Sequence, residues 1–296
     1  MSRRTSPSSH RPYGIARVLR VWELPRSTFY AQRERRAQPA TGRRGRTPTL
    51  DDAALLVQIR AVIAASPFHG EGHRKIWARL RTLNGVRTAM RRVLRVMREA
   101  ELLAPARQPA PVVEHPHDGT IVTDRPNVMW GTDATAAVTV VDGAATIFAA
   151  IDHCTAECVG IHAAKYGDRF EALEPIRQGV RDHFGGLVPA TAAGLALRHD
   201  HGSVYLSADF QAEVTFLGMT SSPAFVRQPE GNGCIERFFR TLKEQLLWVR
   251  HFSTIEELRH ALLTFKETYN REWLIARLGY RSPAQVRQAF AARPAA

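Results

Sequence analysis

Residues 128–165, VMWGTDATAAVTVVDGAATIFAAIDHCTAECVGIHAAK, change the period of the chain. Upstream, apolar residues recur at helical spacing; here they alternate and β-branched residues gather, which predicts three strands. Asp142-Gly143 supplies the first hairpin turn and residues 154–157 the second. After them the pattern alternates: helix (DRFEALEPIRQGVRDHFG), strand (LALRHD), helix (SADFQAEVTFLG), strand (around TSSPAFV), then a helix in CIERFFRTLKEQ and two closing helices. Three antiparallel strands followed by helix and strand in turn predict an α/β layout with a mixed sheet.

Upstream, residues 13–30 place Ile15, Val18, Leu19 and Trp22 at helical spacing, with Pro25 ending one helix and Ser27 capping the next. The Arg- and Pro-rich stretch at residues 32–49 reads as a linker. Three more helical patterns follow, in DDAALLVQIRAVIAA, GEGHRKIWARLRTL and RTAMRRVLRVMREAELL. In the last, Met90, Val93, Leu94 and Met97 form an apolar stripe, with Arg91, Arg95 and Arg98 on the other side. Three short helices ending on an arginine face fit a helix-turn-helix unit whose last helix enters a major groove. The proline-rich APARQPAPVVEHPHDGT is a second linker. The expected domains are a basic helix-turn-helix-like segment with linker (1–45), a helical DNA-binding domain (46–105), a linker (106–125) and an α/β domain (126–290).

Charge supports this division. The net charge is +13, yet residues 1–120 carry 23 Lys and Arg against 9 Asp and Glu, whereas residues 121–296 carry 18 against 19. A positive excess confined to one end points to a polyanion, most commonly nucleic acid. No apolar run is long enough to span a membrane, and the basic N-terminus lacks the apolar stretch of a secretory signal. The three cysteines fit a reducing compartment, so a cytoplasmic protein is expected. His153, Cys154, Cys158 and His162 lie close in sequence, but on alternating strand faces the two cysteines read as small core residues and not as zinc ligands.

Three carboxylates stand at the ends of elements in the α/β domain. Asp133 lies in the first strand (WGTDAT), Asp200 ends the fourth, and Glu236 opens a late helix, with 35 residues between the last two. If the first and fourth strands are neighbours and the helix packs across their ends, all three converge. Clustered carboxylates repel and take up protons unless hard divalent cations compensate them. Two such ions activate a water or hydroxyl and stabilise the leaving oxygen of a phosphodiester. Gly131 and Gly202 leave room beside the two aspartates.

WGTDAT, HDHGSVYLS and CIERFFRTLKEQ, with Lys243 seven residues after the glutamate, resemble the DDE transposase and retroviral-integrase superfamily, and in particular the OrfB protein of the insertion sequence 3 family. The GEGHRKIWARLRTLNG block resembles that family's N-terminal helix-turn-helix, and YNREW…LGYRSPAQV its C-terminal tail. The resemblance implies a ribonuclease-H-like sheet flanked by helices and preceded by an all-α DNA-binding region. It also implies Mg²⁺ or Mn²⁺, two ions in all, on Asp133, Asp200 and Glu236, and cleavage and joining of insertion-sequence ends. The implied partners are the terminal inverted repeats, target DNA, further copies of the chain at a synapse, and an upstream helix-turn-helix protein or frameshift fusion.

On this reading Arg240 and Lys243 reach the phosphate backbone, and Arg91, Arg95 and Arg98 contact DNA. The plainer reading of Glu236 is an intrahelical ion pair with Arg240. Two departures stand out: His199-Asp200-His201-Gly202 replaces the family's Ser-Asp-Gln-Gly, and residues 270–275 read NREWLI in place of Asn-x-x-Arg-Pro-His. His199 and His201 are expected on the opposite face from Asp200, in a structural or DNA-proximal role. Two other functions stay open: a DNA-binding regulator with an inactive integrase-like domain, and a metal nuclease that cuts without joining.

Overall fold

The structure, a computed structural model, describes residues 4–37, 50–104, 121–224 and 232–292. The chain divides into two compact units, Met1–Asp51 and Asp52–Ala296. In the first, α1 (Ile15–Val21) and α2 (Arg26–Ala37) form a short helical pair. Leu19 is buried, while Trp22 of the same expected stripe is exposed. Ser27 is not the cap, because α2 already starts at Arg26 and Phe29 N–H donates to Pro25 O. The helix also runs into the stretch read as linker, ending at Ala37, because Gln, Arg, Glu and Ala are good helix formers. Residues 38–49 of that linker, and 105–120 of the second, lie outside the described residues.

The second unit opens with α3 (Asp52–Ala65), α4 (His73–Thr82) and α5 (Met90–Glu99). Leu55, Ile59 and Val62 pack with Ile76 and Leu80 and with Val93, Val96 and Met97 in a small buried core. A five-stranded sheet follows, built from β1 (Met129–Thr139), β2 (Gly143–Asp152), β3 (Cys158–Ala164), β4 (Ala196–His199) and β5 (Thr220–Pro223). Its order is β3-β2-β1-β4-β5. The first three strands are antiparallel; β4 runs parallel to β1 and β5 parallel to β4. This is the expected ribonuclease-H-like mixed sheet, with the first and fourth strands side by side.

Helices cover both faces of the sheet, so β2 is buried along nearly its whole length instead of alternating. On one face α6 (Arg169–Phe184) and α8 (Ala208–Phe216) pack Leu173, Ile176, Val180, Phe210 and Val214 against Trp130, Phe148 and Val159. On the other, α9 (Gly233–Leu242) and α10 (Ile255–Glu272) pack Phe238, Leu242, Leu258, Leu262 and Phe265 against Ile147, Ile151 and Ile161. The turn α7 (Ser203–Leu206) connects β4 to α8, and α11 (Pro283–Ala291) closes the chain behind a Ser282/Gln285 capping box. α6 carries Pro175 mid-helix and comes so close to β3 that a Cβ on Gly160 would lie 1.9 Å from Pro175 O. Only glycine fits there.

The small helical core is joined to the sheet domain through the C-terminal tail. Arg79 is buried and donates to both oxygens of buried Glu71 (2.6 and 3.2 Å) and to Glu272 O (3.1 Å). Ser66 Oγ donates to the same carboxylate at 2.8 Å. Phe68 meets Trp273 edge-on at 4.8 Å between centroids, and the Lys75 ammonium lies over the Trp273 ring. A reciprocal pair completes the junction: His69 N–H donates to Gln245 Oε1 (2.8 Å) and Gln245 Nε2 donates to His69 O (3.0 Å). Trp273, one of the tail departures, therefore has a packing role. No helix among the described residues is long and apolar enough to cross a membrane.

Candidate active site

β1 and β4 share three pairs, Met129↔Ala196, Trp130↔Leu197 and Gly131↔Arg198, and then part. Asp133 and Asp200 each stand two residues beyond the last pair. Side chains alternate along a strand. Trp130 packs on the α6 side, so Gly131 and Asp133 face the α9 side. A Cβ on Gly131 would indeed lie 2.6 Å from the side chain of Asn232, which immediately precedes α9. Glu236 occupies the first turn of that helix, where an acidic group suits the helix dipole. Cys234, Ile235, Phe238, Phe239 and Leu242 are buried and moor α9, leaving Glu236 exposed on its other side.

Asp133 responds to the other two carboxylates. Burial pushes the Asp133 carboxyl up to about 6; the Ala134 N–H on its Oδ1 opposes this, Asp200 and Glu236 raise it further, and Lys243 lowers it. Asp200 is exposed and its Oδ1 accepts Gly202 N–H at 2.8 Å, tying it to the start of α7. Lys243 is half-buried and opens a π-helical turn, Lys243–Leu247, at the end of α9. Such turns are frequent at functional sites. Arg240 is exposed and pairs with Glu244 at 3.1 Å, so the helix does carry an i,i+4 ion pair, made by Arg240 with the next acidic residue.

A divalent ion fits these groups in chemistry. The donors are all oxygen, and mutual repulsion with burial already discourages ionisation of Asp133, which a hard cation would reverse. They do not form a closed cage: among the described residues no three His, Cys, Asp or Glu side chains gather tightly enough to enclose one ion.

The remaining sequence candidates fall elsewhere. Arg91 and Arg98 are exposed on α5, but Arg95 pairs with Asp52 (2.6 Å) and Glu99 (3.0 Å), so the three arginines are not equivalent. His199 is fully buried, bonded to Asp200 O and Ser221 Oγ and stacked on Tyr205. His201 Nε2 bonds Ala224 O at 2.6 Å. Cys154 and Cys158 are buried, and His162 meets Glu171 at 2.6 Å. Two residues carry more than the sequence suggested. Asp152 is fully buried and accepts from Asn127 N, Thr155 N and Thr155 Oγ1; the D-x-x-T spacing was its signal. Asn232 is buried at the N-cap of α9, where Asn is a favoured residue.

Residues 217–283 match the integrase core domain family and residues 49–110 an HTH-like domain family. The chain is 27% identical to the transposase InsD of insertion element IS2A/D/F/H/I/K of Escherichia coli, over 93% of this chain and 91% of that protein. It is also 27% identical to an uncharacterized 48.2 kDa protein of insertion element IS2A from the same organism, over 95% of this chain and 66% of that one. Among solved structures, the simian T-cell lymphotropic virus intasome in complex with PP2A regulatory subunit B56 gamma aligns at 17% identity and TM-score 0.49, covering 76% of this chain and 74% of that one. The HTLV-2 integrase catalytic core domain in complex with magnesium aligns at 17% identity and TM-score 0.41, over 55% and 97%. The chain thus carries a match to an HTH-like domain ahead of a match to an integrase core domain, and over nearly its whole length it is similar to an insertion-element transposase.

Proposed function

We propose that the protein cleaves the ends of an insertion element and joins them to target DNA, with Asp133, Asp200 and Glu236 as the catalytic carboxylates. The observation that carries this is the matched placement of Asp133 and Asp200 beyond the last β1–β4 pair, with Glu236 close enough to raise the Asp133 pKa. The three would hold Mg²⁺ or Mn²⁺, two ions in all, which when bound supply charge neutralisation and an acidified water or hydroxyl. The chain's own residues would position the DNA: Lys243, near enough to lower the Asp133 pKa, would hold a phosphate next to the scissile one. Arg91 and Arg98 would bind the terminal repeat, and Arg240 would supplement them by leaving Glu244. Arg95 would serve chiefly to hold α5 on α3. Two ends must be brought together, so several copies of the chain act at once; the setting is the bacterial nucleoid. An upstream helix-turn-helix protein or fusion would add further DNA contacts.

The test uses labelled duplexes bearing the repeats that flank the gene, incubated with the protein and Mg²⁺ or Mn²⁺. Nicked and joined products are expected, and Asp200→Asn or Glu236→Gln should remove both while leaving duplex binding intact. Binding without any nicking in the unsubstituted protein would identify a regulator. Nicking without joined products would identify a nuclease.

A further inference from the structure

An Asn at a helix N-cap ordinarily turns its side-chain oxygen onto the amides of its own first turn. Asn232 precedes α9 but makes no such bond. Its Nδ2 instead crosses to the sheet and donates to Thr132 O at 3.2 Å, the carbonyl next to Asp133. The helix has lost its cap and β1 has gained a link to it.

The other end of the same amide is stranger. Asn232 Oδ1 is buried and, among the described residues, has no hydrogen-bond partner; His153 Nε2 is in the same condition. Both lie over one point, 2.6 and 2.7 Å from where a Cβ of Gly131 would stand. His153 Nδ1 faces Ile121 O at 2.9 Å and must carry a proton to bond it, so neutral His153 presents a bare lone pair at Nε2. His153 itself is fixed: its N–H donates to Met129 O, and the Arg277 guanidinium holds the carbonyls of His153 and Cys154. Two buried acceptors without a donor disfavour the fold, and such arrangements persist mainly where function requires the geometry. What this geometry fixes is the first turn of α9 against β1, the two elements that carry Glu236 and Asp133.

We infer that Asn232 is a positioning residue, seated over Gly131 and against His153, which sets Glu236 relative to Asp133 and thereby the divalent-ion site. This rests on the proposed function above. Residue 131 must be glycine because any side chain would occupy the seat of the Asn232 amide.

Mn²⁺ binding to the full-length chain, followed by the electron paramagnetic resonance signal of free Mn²⁺, tests the inference separately from activity. Asn232→Ala and Gly131→Ala should each weaken Mn²⁺ binding by about tenfold to a hundredfold, the range seen when residues behind metal ligands are lost. Circular dichroism should stay unchanged, and end cleavage should recover at raised Mn²⁺. The double variant should be no weaker than the worse single, because both remove one seat. Unchanged Mn²⁺ affinity in Asn232→Ala, or losses that multiply in the double variant, overturns the inference. If Gly131→Ala does not fold, Asn232→Ser removes the amide without crowding and decides the matter alone. Mn²⁺ binding by the unsubstituted protein that survives Asp133→Asn, or its complete absence, overturns the proposed function and this inference together. Loss of binding in Asp133→Asn with none in Asn232→Ala and Asn232→Ser overturns this inference only.

Discussion

Asp133 and Asp200 occupy equivalent places on adjacent parallel strands, each two residues past the Gly131↔Arg198 pair where β1 and β4 separate. Neighbouring strands lie about 4.8 Å apart, so the two carboxylates meet where no further strand hydrogen bonds hold the backbones together. The parallel crossover from β3 through α6 to β4 creates this meeting, which is why residues 67 positions apart in number act as neighbours.

Asp133 is a destabilising group in the metal-free protein. Its carboxyl rises to about 6 from an ordinary 3.8, so the ionised form is disfavoured on folding. The sign follows: stability linked to this group is full below about pH 4 and is lost as pH rises through about 6. Asp133→Asn should therefore stabilise the metal-free chain at pH 7.5, by roughly 1–2 kcal/mol after allowing for its partial exposure to solvent, while removing cleavage. Denaturant titration of both proteins in chelator checks this; a destabilised variant contradicts it.

The same shift predicts proton competition. Below about pH 6 the site holds a proton that an ion must displace. Mn²⁺ affinity should fall close to tenfold per pH unit below that point and level off above pH 7. Calorimetric titrations between pH 5 and 8 give the curve, and a flat profile would exclude Asp133 as a ligand.

Removing Lys243 should separate DNA placement from ion binding. Lys243→Ala should weaken end binding or cleavage with Mn²⁺ affinity largely retained, and Lys243→Arg should keep much of the activity, since a point-charge phosphate contact needs charge more than fork geometry. Full strand transfer by Lys243→Ala would show that this lysine only faces solvent.

The α5 arginines should divide by behaviour. Arg91→Ala and Arg98→Ala should each flatten the log–log salt dependence of end binding by about 0.9, the value for one phosphate contact. Arg95→Ala should leave the slope nearly unchanged, because Asp52 and Glu99 engage that side chain. Equal effects from all three would show that Arg95 abandons its partners for DNA.

Arg79 carries the junction between the helical core and the sheet domain. Arg79→Met leaves Glu71 buried with Lys75 at 3.8 Å and the Ser66 hydroxyl but without its guanidinium, at a cost of about 3 kcal/mol. The companion Glu71→Leu should restore most of it, because breaking a buried pair costs more than replacing it. Thermal melts of the three proteins check the order.

The sheet was legible because the change from helical to alternating spacing at residues 128–165 is a local signal, and because WGTDAT, HDHGS and CIERFF each announce an element end. Three kinds of feature were not. α2 overran the stretch read as linker because a charged sequence without apolar periodicity hides good helix formers. Asp152 did not stand out in the sequence, since its burial depends on Asn127 and on Arg287 from the far end of the chain. Arg95 looked equivalent to Arg91 and Arg98 because its partner Asp52 lies 43 residues away on another helix. The last two misses are contacts between distant residues, which spacing within one segment does not record.

The paired Gln245 and His69 have a consequence for measurement. Gln245 belongs to the π-helical turn that begins at Lys243, and it holds both backbone groups of a loop in the helical core. The part that would recognise the repeat and the part that would cut are thereby fastened into one gauge of fixed span. On B-form DNA each base pair turns the helix by roughly 35°. A gauge of this kind selects its phosphate by distance and rotation from the recognised sequence, so inserting one base pair between them would present the wrong phosphate however well both ends of the protein were bound.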